Sequence, residues 1–424
     1  MISNKFAAAH GLHRVMLVCC LLWSSVADLS LITYHLSLCP VAAQNMHRYS
    51  LGFTVNYTSP LTSQSLSKNY ADTIPIEFEN HRIIVPVEIE GKKYRFLFDT
   101  GATQGALFTS GKIPVLREVG NVISYDINRH SDSLRVVQLP AIRMGHLTID
   151  GYLCVVLSSG PMSRVYDGVI GFDLVNKGLC CKIDTENKRL ILTDQKKFFA
   201  EEQGYKVKYK LRNFVPCVWV SPFMRHYDQV IFDTGFQNLY AMGRKSFQTH
   251  IYKSRHVAAQ VEGKAVGQHT IGVHGVENAD TIYFLALDRM NLGDFTFRDV
   301  HIITQEGSSH IGSELFDYGT LIINPFKKRL LFQPHNKSGV VTVANEQFQM
   351  AVVPYQNLPM IGLIRENSDA YARGLRRGDI ILKVDGHDIP SMAVFQQYAF
   401  VKGETYTYTV QTKEGKIKTV QVTR

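Results

Sequence analysis

One short pattern occurs twice in this sequence, and the repetition constrains the fold more than any other feature. The stretches "YRFLFDTGA" and "QVIFDTGFQ" each carry an apolar run that ends at Asp-Thr-Gly, with Asp99 in the first copy and Asp233 in the second. A given tripeptide occurs by chance about once in 5,000 positions. Two copies in 424 residues, each preceded by a strand-like run, therefore indicate an internal duplication.

Two further segments match downstream of each copy, in the same order. Residues 144–157 resemble residues 292–304. An Ile-Gly-x-x-Leu segment then follows at Gly171 and again at Gly312, and each leads into a strand, a turn that contains Lys-Arg, and a second strand. The repeated order predicts two homologous lobes, at residues 75–197 and 203–335, joined by a short linker.

The composition favours a mainly β chain with more than one domain. The sequence has 424 residues and is 45% hydrophobic, which is enough for two or three domains. Short apolar runs broken by Gly, Asn, Asp and Pro dominate, and helical periodicity is scarce. The formal charge of +9 comes from scattered Lys and Arg, which is typical of a solvated surface. We therefore expect no nucleic-acid partner.

The N-terminus has the pattern of a secretory signal peptide. Lys5 and Arg14 precede the apolar run "VMLVCCLLW", which is short for a bilayer span. Both "SVAD" and "VAAQ" fit a cleavage site, and we assign residues 1–43 to the signal peptide and residues 44–74 to a linker or pro-segment. An uncleaved membrane anchor is the alternative. Both readings predict an exported protein that is periplasmic, in the cell envelope or secreted.

The cysteines and histidines do not indicate a metal site. Adjacent cysteines suit neither metal spacing nor a redox motif, so we expect buried thiols and leave one disulfide open. The sixteen histidines include no His-Glu-x-x-His motif, and we expect no metal and no cofactor. The cysteines that lie beyond the leader are Cys154, Cys180, Cys181 and Cys217.

The twin aspartates predict a hydrolytic site if the two lobes pack about a pseudo-twofold axis. Asp99 and Asp233 would then meet at that axis, where two close carboxyl groups share one proton because both cannot ionise cheaply. The ionised group can take a proton from water while the protonated group donates to a peptide carbonyl. Gly101 and Gly235 would give the turns their backbone freedom. Because both aspartates are on one chain, a monomer is sufficient for the site.

The residues of these motifs resemble the signature of pepsin/retropepsin-type aspartic proteases that carry both lobes on one polypeptide. Residues 96–102 with Val169-Ile170-Gly171 match it fully, and residues 230–235 with His310-Ile311-Gly312 match it less well. The resemblance implies a bilobal β-fold with pseudo-twofold symmetry and a peptide or protein substrate. It implies these roles: Asp99 and Asp233 catalytic, Thr100 and Thr234 bracing the turns through their hydroxyls, and Gly171 and Gly312 letting a crossing strand approach closely.

Two residues depart from that signature. Phe236 stands where the family has Ala, Ser or Thr, and its bulk would narrow the cleft, distort the second turn or exclude some substrates. A catalytically inactive, peptide-binding adaptor is therefore the alternative function. Ala102 lacks the hydroxyl that favours ionisation, so we predict a less acidic working pH than that of gastric-type enzymes.

The flap that covers the substrate is predicted with less detail. The candidates are Ile123–Val137 in the first lobe and the Gly-rich stretch Gln260–Gly272 in the second. Tyr125 is either a flap aromatic or an ordinary surface tyrosine.

The C-terminal residues 345–424 have a pattern of their own. Ala370 to Gly386 resembles the bacterial-type PDZ pattern Ala-x-x-Gly-Leu-x-x-Gly-Asp-x-Ile-x-x-Val-Asp/Asn-Gly, with a hairpin turn at Asp385-Gly386. The resemblance implies a β-rich domain with one or two short helices, and a C-terminal peptide as its ligand. The carboxylate-binding loop would fall near Tyr355–Leu363, without a clear match. A module that only steadies the protease lobes is the alternative.

Overall fold

The structure is a computed structural model that describes residues 51–108, 113–157, 165–251, 255–272, 274–345, 347–398, 400–401 and 403–423. The expected signal peptide, residues 1–43, lies outside the described residues. From Leu51 onward the chain forms one compact unit. It is mainly β, with a first lobe, a second lobe and a C-terminal module.

The first lobe is a twelve-stranded sheet with one short helix, α1 (Asp173–Asn176). The strands in chain order, of which all but β3, β14 and β15 belong to this sheet, are β1 (Thr54–Thr58), β2 (Ser65–Leu66), β3 (Ala71–Pro75), β4 (Glu77–Glu79), β5 (Arg82–Ile89), β6 (Lys92–Phe98), β7 (Gly105–Phe108), β8 (Arg117–Tyr125), β9 (Ser131–Gln138), β10 (Ile142–Met144), β11 (Leu147–Asp150), β12 (Leu153–Leu157), β13 (Gly168–Ile170), β14 (Cys180–Asp184) and β15 (Arg189–Thr193).

The second lobe repeats this plan. It contains the helices α2 (Arg244–Ile251) and α3 (Arg255–Ala258) and a 3-10 helix at Ser313–Asp317. Its strands are β16 (Tyr205–Lys208), β17 (Lys210–Arg212), β18 (Val215–Phe223), β19 (His226–Phe232), β20 (Tyr240–Gly243), β21 (Val261–Gly267), β22 (Ile271–Gly272), β23 (Gly275–Val276), β24 (Asp280–Leu292), β25 (Phe295–Gln305), β26 (Ser309–Ile311), β27 (Gly319–Asn324), β28 (Arg329–Pro334) and β29 (Val340–Thr342).

Equivalent strands of the two lobes pair in the same way. In the first lobe β13 runs parallel to β6 and antiparallel to β7. In the second lobe β26 runs parallel to β19 and antiparallel to β20. As predicted, β6 is the second strand of a hairpin with β5, and β19 is the second strand of a hairpin with β18. These strands end one residue before Asp99 and Asp233. The expected mainly β, bilobal fold is confirmed.

A six-stranded sheet joins the lobes, with the order β16-β28-β27-β14-β15-β3. Its two central strands come from different lobes, because β14 pairs antiparallel with β27 through Cys181↔Ile323 and Ile183↔Leu321. The outer strands are β3 of the first lobe and β16 of the second. This sheet relates the repeated hairpins to each other about the pseudo-twofold axis.

Two of the expected boundaries need correction. Residues 44–74 were expected to be a linker or pro-segment, but β1 pairs with β11 and β3 pairs with β15, so the first lobe begins before residue 75. The second lobe was expected to end at residue 335, but β29 pairs with β25. In both places the partner strand is distant in sequence, which local patterns do not reveal.

The C-terminal module is a six-stranded sheet with two short helices, α4 (Asp369–Ala372) and α5 (Met392–Gln397). The turn at Asp385-Gly386 has φ values of 49° and 79°, which fit the expected two-residue hairpin. The strands are β30 (Met350–Tyr355), β31 (Leu358–Ile364), β32 (Ile380–Val384), β33 (His387–Asp388), β34 (Thr405–Gln411) and β35 (Ile417–Thr423), in the order β30-β31-β32-β34-β35 with β33 beside β32.

The stretch Tyr355–Leu363, the predicted place of a carboxylate-binding loop, contains a tight turn and a strand. Gln356 and Asn357 form a tight turn with φ values of 48° and 67°, and β31 follows directly. This stretch is therefore the turn and second strand of a hairpin with β30.

The module has its own apolar core but also contacts the second lobe. Gln268 N–H donates to the Gly362 carbonyl at 3.0 Å, and Phe348 stacks on Phe284 with ring centroids 5.5 Å apart. Ile271 of the second lobe packs against the core of the module. These contacts hold the module on the lobe through both backbone and side-chain groups.

The remaining expectations concern thiols and membranes. The four cysteines Cys154, Cys180, Cys181 and Cys217 are buried and free, so the disulfide left open in the sequence analysis is not formed. Within the part of the chain that the structure describes, no helix has both the length and the apolar character needed to cross a membrane.

Candidate active site

Asp99 and Asp233 lie together at the junction of the lobes. The Asp99 backbone N–H donates to the Ile170 carbonyl at 2.9 Å, and the Asp233 backbone N–H donates to the Ile311 carbonyl at the same distance. Both acceptors are the isoleucines of the Ile-Gly segments. The two side chains hydrogen-bond each other. The Asp233 side chain is 15% exposed.

Thr100 and Thr234 lock the two turns together. Thr100 N–H donates to Thr234 Oγ1 at 3.0 Å, and Thr234 N–H donates to Thr100 Oγ1 at the same distance. Each hydroxyl then donates across the axis, Thr100 to the Phe232 carbonyl at 2.8 Å and Thr234 to the Phe98 carbonyl at 2.6 Å. Because both threonines are fully buried, these bonds have no competition from water.

Gly101 and Gly235 are required for space rather than for backbone freedom, which corrects the sequence-based reason. Neither has a positive φ. A Cβ atom on Gly101 would lie 2.5 Å from Asp233 Oδ1, and one on Gly235 would lie 2.5 Å from Asp99 Oδ2. Each glycine N–H donates at 2.8 Å to the aspartate of its own turn. The missing side chains thus allow the carboxyl groups to meet.

Gly171 and Gly312 stand at the expected close approaches. A Cβ atom on Gly171 would lie 2.6 Å from the carbonyl carbon of Gln104, and one on Gly312 would collide with the Phe236 carbonyl oxygen. Only glycine allows these segments to pass so close to the turns.

Phe236 does not distort the second turn. Its N–H donates to the Asp233 carbonyl at 3.1 Å, as Ala102 N–H donates to the Asp99 carbonyl at 3.3 Å. Its carbonyl accepts from Ser313 N–H at 2.8 Å, as the Ala102 carbonyl accepts from Phe172 N–H at 2.8 Å. The larger side chain instead lies beside the ring of His310, with centroids 5.7 Å apart.

The electrostatics of the pair are those of two carboxyl groups withdrawn from water. Burial holds the pKa of Asp99 well above its usual range, and the neighbouring Asp233 raises it further. Burial also raises the pKa of Asp233, but the hydrogen bond from Asp99 opposes that rise. The pair therefore shares one proton at a pH where free carboxyl groups are ionised.

A hairpin of the first lobe reaches over to the second lobe. The predicted flap Ile123–Val137 is the β8–β9 hairpin. The Asn128 side-chain amide donates to the Thr270 carbonyl at 3.3 Å and to the Gly275 carbonyl at 3.1 Å. Asp126 Oδ2 accepts from His274 N–H at 3.1 Å. The tip of this hairpin thus contacts the second lobe at Thr270, within the second predicted flap Gln260–Gly272, and at His274 and Gly275 just after it.

Tyr125 lies at the end of β8 and is 49% exposed. Its exposed position in the β8–β9 hairpin fits either of the two predicted roles.

Two symmetric turns that the sequence analysis missed also cross between the lobes. Asn80 and His81 have φ values of 48° and 56°, and the His81 carbonyl accepts from Ser313 Oγ. In the other lobe, Asn213 and Phe214 have φ values of 49° and 65°. Their carbonyls accept from Thr103 Oγ1 at 3.2 Å and from Asn176 Nδ2 at 2.8 Å. An asparagine between two apolar strands was the available signal.

A third titratable residue beside the aspartates was also missed as a site residue. His310 Nε2 lies 3.7 Å from Asp233 Oδ2, and the side chain is 5% exposed. The alignment of the two Ile-Gly segments places His310 opposite Val169, and this difference between the repeats was the available signal. Among the residues that the structure describes, no group of three or more His, Cys, Asp or Glu residues could hold a metal ion.

Comparisons with known proteins agree with this geometry for the first lobe. The family model described as aspartyl protease matches residues 85–174, which include Asp99 and Gly171. Among solved structures, an aspartic proteinase from Irpex lacteus is similar at 15% identity and a TM-score of 0.40, covering 62% of this chain and 97% of its own. No curated protein matches the chain.

The fold and the family match together support an aspartic-protease class of protein. In general terms they support peptidase activity.

Proposed function

We propose that this chain is an exported aspartic endopeptidase that hydrolyses extended peptide segments between its two lobes. One observation carries the proposal: Asp99 and Asp233 hydrogen-bond each other across the lobe junction, with each turn held by the threonine of the other. The sequence pattern of residues 1–43 supports export. Mass measurement of the mature N-terminus tests that part, because an intact leader would favour an anchor.

The reaction would use water as the nucleophile. Ionised Asp233 takes a proton from the water as its oxygen bonds to the peptide carbon, and Asp99 gives its proton to the carbonyl oxygen. The resulting diol collapses when the C–N bond breaks. The leaving nitrogen takes the proton from Asp233, and a diol hydroxyl returns a proton to Asp99. No covalent enzyme intermediate, metal or cofactor is needed, and one chain supplies both carboxyl groups.

The β8–β9 flap supports a role in covering the substrate. Its tip is fixed to the second lobe by Asp126 and Asn128, which would exclude bulk water from the carboxyl pair. Substrate entry would require these contacts to open.

The test is hydrolysis of a peptide mixture, with cleavage sites identified by mass spectrometry. Wild-type protein should cleave, and Asp99→Asn and Asp233→Asn should each lose at least about 10²-fold in kcat/KM. A statine-type peptide should inhibit, because it mimics the diol. If wild type is as inert as both variants, the second candidate function, a peptide-binding adaptor, is favoured. The bulk of Phe236 beside the site is the observation behind that candidate.

We further propose that the C-terminal module is a PDZ domain. Its pattern at Ala370–Gly386 and the outermost position of β30 in its sheet support this, because PDZ ligands add a strand to a sheet edge. The module would recruit or position substrate. Its contacts with the second lobe at Gly362 and Phe348 equally fit a steadying role.

The two roles differ in ligand binding. Asp99→Asn protein, which would not consume the probe, is titrated with a peptide library that has free C-terminal carboxylates and with its C-terminally amidated counterpart. Binding of the carboxylate set alone supports the PDZ role, and binding of neither supports the steadying role.

A further inference from the structure

His310 distinguishes the second active-site turn from the first. The strand β26 places it opposite Ile231, two residues before Asp233. The equivalent residue Val169 stands on β13 opposite Leu97, two residues before Asp99. Val169 packs in an apolar cluster beside Ala102. The pseudo-twofold relation therefore places an imidazole on one side of the carboxyl pair and an aliphatic side chain on the other.

The His310 ring is held by polar groups on the side away from Asp233. Its Nδ1 lies 2.7 Å from Gln305 Nε2 and 2.8 Å from the Ser308 carbonyl oxygen, and Gln305 Nε2 lies 2.5 Å from the same oxygen. Gln305 is 1% exposed. Nδ1 is therefore engaged, and Nε2 is the nitrogen that faces Asp233 Oδ2 at 3.7 Å.

The hydrogen-bond network favours Nε2 as the protonated nitrogen of the neutral ring. If the Gln305 amide donates one hydrogen to the Ser308 carbonyl and the other to Nδ1, the proton of His310 is on Nε2. If the amide is reversed, the Gln305 side-chain oxygen and the Ser308 carbonyl oxygen, both acceptors, stand 2.5 Å apart. The first arrangement leaves only one contact between acceptors, the 2.8 Å contact of Nδ1 with the Ser308 carbonyl, and is therefore better. The Nε2–H group then points at Asp233.

We propose that His310 is a positioning residue that keeps the negative charge of the carboxyl pair on Asp233 by directing its Nε2–H at Oδ2. The inference rests on the proposed function and names a residue that determines which aspartate acts as the base. The separation of 3.7 Å is longer than a hydrogen bond, and such contacts commonly shorten when substrate is bound.

The surroundings of His310 are consistent with a neutral donor. Burial lowers the pKa of His310 to about 4, and the Ser308 carbonyl opposes that fall. The groups packed around it are Ile231 on β19, Ala241 on β20, Gln305 on β25 and the Asp233 turn with Phe236. The carboxyl groups of Asp233 and Asp99 lie near the ring, and its lowered pKa keeps it neutral wherever a pair with raised pKa values is active.

Two substitutions separate a donor from a mere space filler. His310→Val installs the residue of the first lobe, and His310→Gln keeps an N–H donor without an imidazole titration. The logarithm of kcat/KM is measured against pH for wild type and both variants. In His310→Val the acidic limb should move up by about one pH unit, because ionised Asp233 has lost its donor. In His310→Gln the limb should stay near that of wild type. Unmoved limbs in both variants, or equal movement in both, would overturn the proposal.

A readout without catalysis keeps this test separate from that of the proposed function. Carboxyl-carbon NMR titration of Asp233 should show a higher pKa in His310→Val than in wild type. The nitrogen chemical shifts of the His310 ring should report a proton on Nε2. If wild type is inert but both NMR results appear, the peptidase proposal fails and the positioning inference stands. If cleavage occurs but the Asp233 pKa is unchanged in His310→Val, the positioning inference fails alone.

Discussion

Gly235 lies directly against the carboxyl group of Asp99, and a Cβ atom at this position would stand 2.5 Å from Asp99 Oδ2. Gly101 has the same relation to Asp233. The closeness of the two carboxyl groups therefore depends on the absence of two side chains.

Gly235→Ala should consequently abolish peptide hydrolysis with only a modest loss of stability. The added methyl group pushes the carboxyl groups apart, and a shift of about 1 Å can cost roughly 10²-fold in rate. Gly263→Ala is the matched control, since its Cβ would meet no atom closer than 3.8 Å and its φ is not positive. Peptide turnover is measured beside thermal unfolding. More than a tenth of wild-type activity in Gly235→Ala would contradict this account.

Thr234→Val should destabilise the chain by about 2 kcal/mol or more. It leaves the buried Thr100 N–H and the Phe98 carbonyl without their partner, and each unsatisfied buried group costs roughly 1–3 kcal/mol. Thr234→Ser keeps the hydroxyl and should lose much less. Urea unfolding of both variants gives the comparison. Because Thr234→Val keeps the methyl group, a loss in Thr234→Val no larger than that in Thr234→Ser would contradict the dominance of the hydroxyl.

The pH–rate profile should be displaced towards less acidic pH than in gastric-type enzymes. Activity requires one ionised and one protonated carboxyl group, and burial raises the pKa of both Asp99 and Asp233. Both limbs of the bell should therefore shift upward. The profile of kcat/KM is the measurement, and a maximum at about pH 3 would refute the expectation.

Asp173 should make stability fall as pH rises from about 4 to 7. Burial raises its pKa to about 7, so the folded chain keeps a proton that the unfolded chain has already lost. The stabilisation is complete below the unfolded pKa of about 3.9, and the total loss is on the order of 4 kcal/mol. Asp173→Asn keeps the oxygen that accepts from the Tyr152 hydroxyl and from Leu174 N–H.

Chemical unfolding of wild type and Asp173→Asn at pH 4 and pH 7.5 tests this. The variant should match wild type at the lower pH and exceed it at the higher one. A constant difference between the two proteins would show that ionisation of Asp173 is not involved.

Asn128→Ala should loosen the flap. It removes two hydrogen bonds to the second lobe, at Thr270 and Gly275, while the β8–β9 hairpin keeps its own pairing. Backbone hydrogen exchange at Asp126–His130 should accelerate several-fold. Asn121→Ala, at an exposed position of the same hairpin, is the control and should leave exchange unchanged. Identical exchange in both variants would mean that these bonds do not hold the tip.

The fold and the carboxyl pair could be read from the sequence because their signals are local and repeated. An apolar strand that ends at Asp-Thr-Gly places a carboxyl group at the end of that strand. Two copies, related by a pseudo-twofold axis, bring the two carboxyl groups together at that axis. The hairpins β5–β6 and β18–β19 were predictable for the same reason.

What the sequence concealed depends on partners far along the chain. Gly101 was expected to supply backbone freedom, because the carboxyl group that actually faces it lies more than a hundred residues away in the other lobe. The pairing of β3 with β15 and of β14 with β27 was hidden in the same way. A role for His310 could not be predicted from a single histidine before Ile-Gly, because its position near Asp233 depends on the pairing of β26 with β19.

The central pair β14–β27 also bears on what half of this chain would do alone. In a fragment that ends after β15, the backbone groups of β14 that pair with β27 would be unpaired. Such an open edge can pair with another strand. A second copy of the fragment offers the best one, since the missing neighbour is its own repeat. Because both lobes are in one polypeptide, their association does not depend on protein concentration, whereas separate halves would associate only at sufficient concentration.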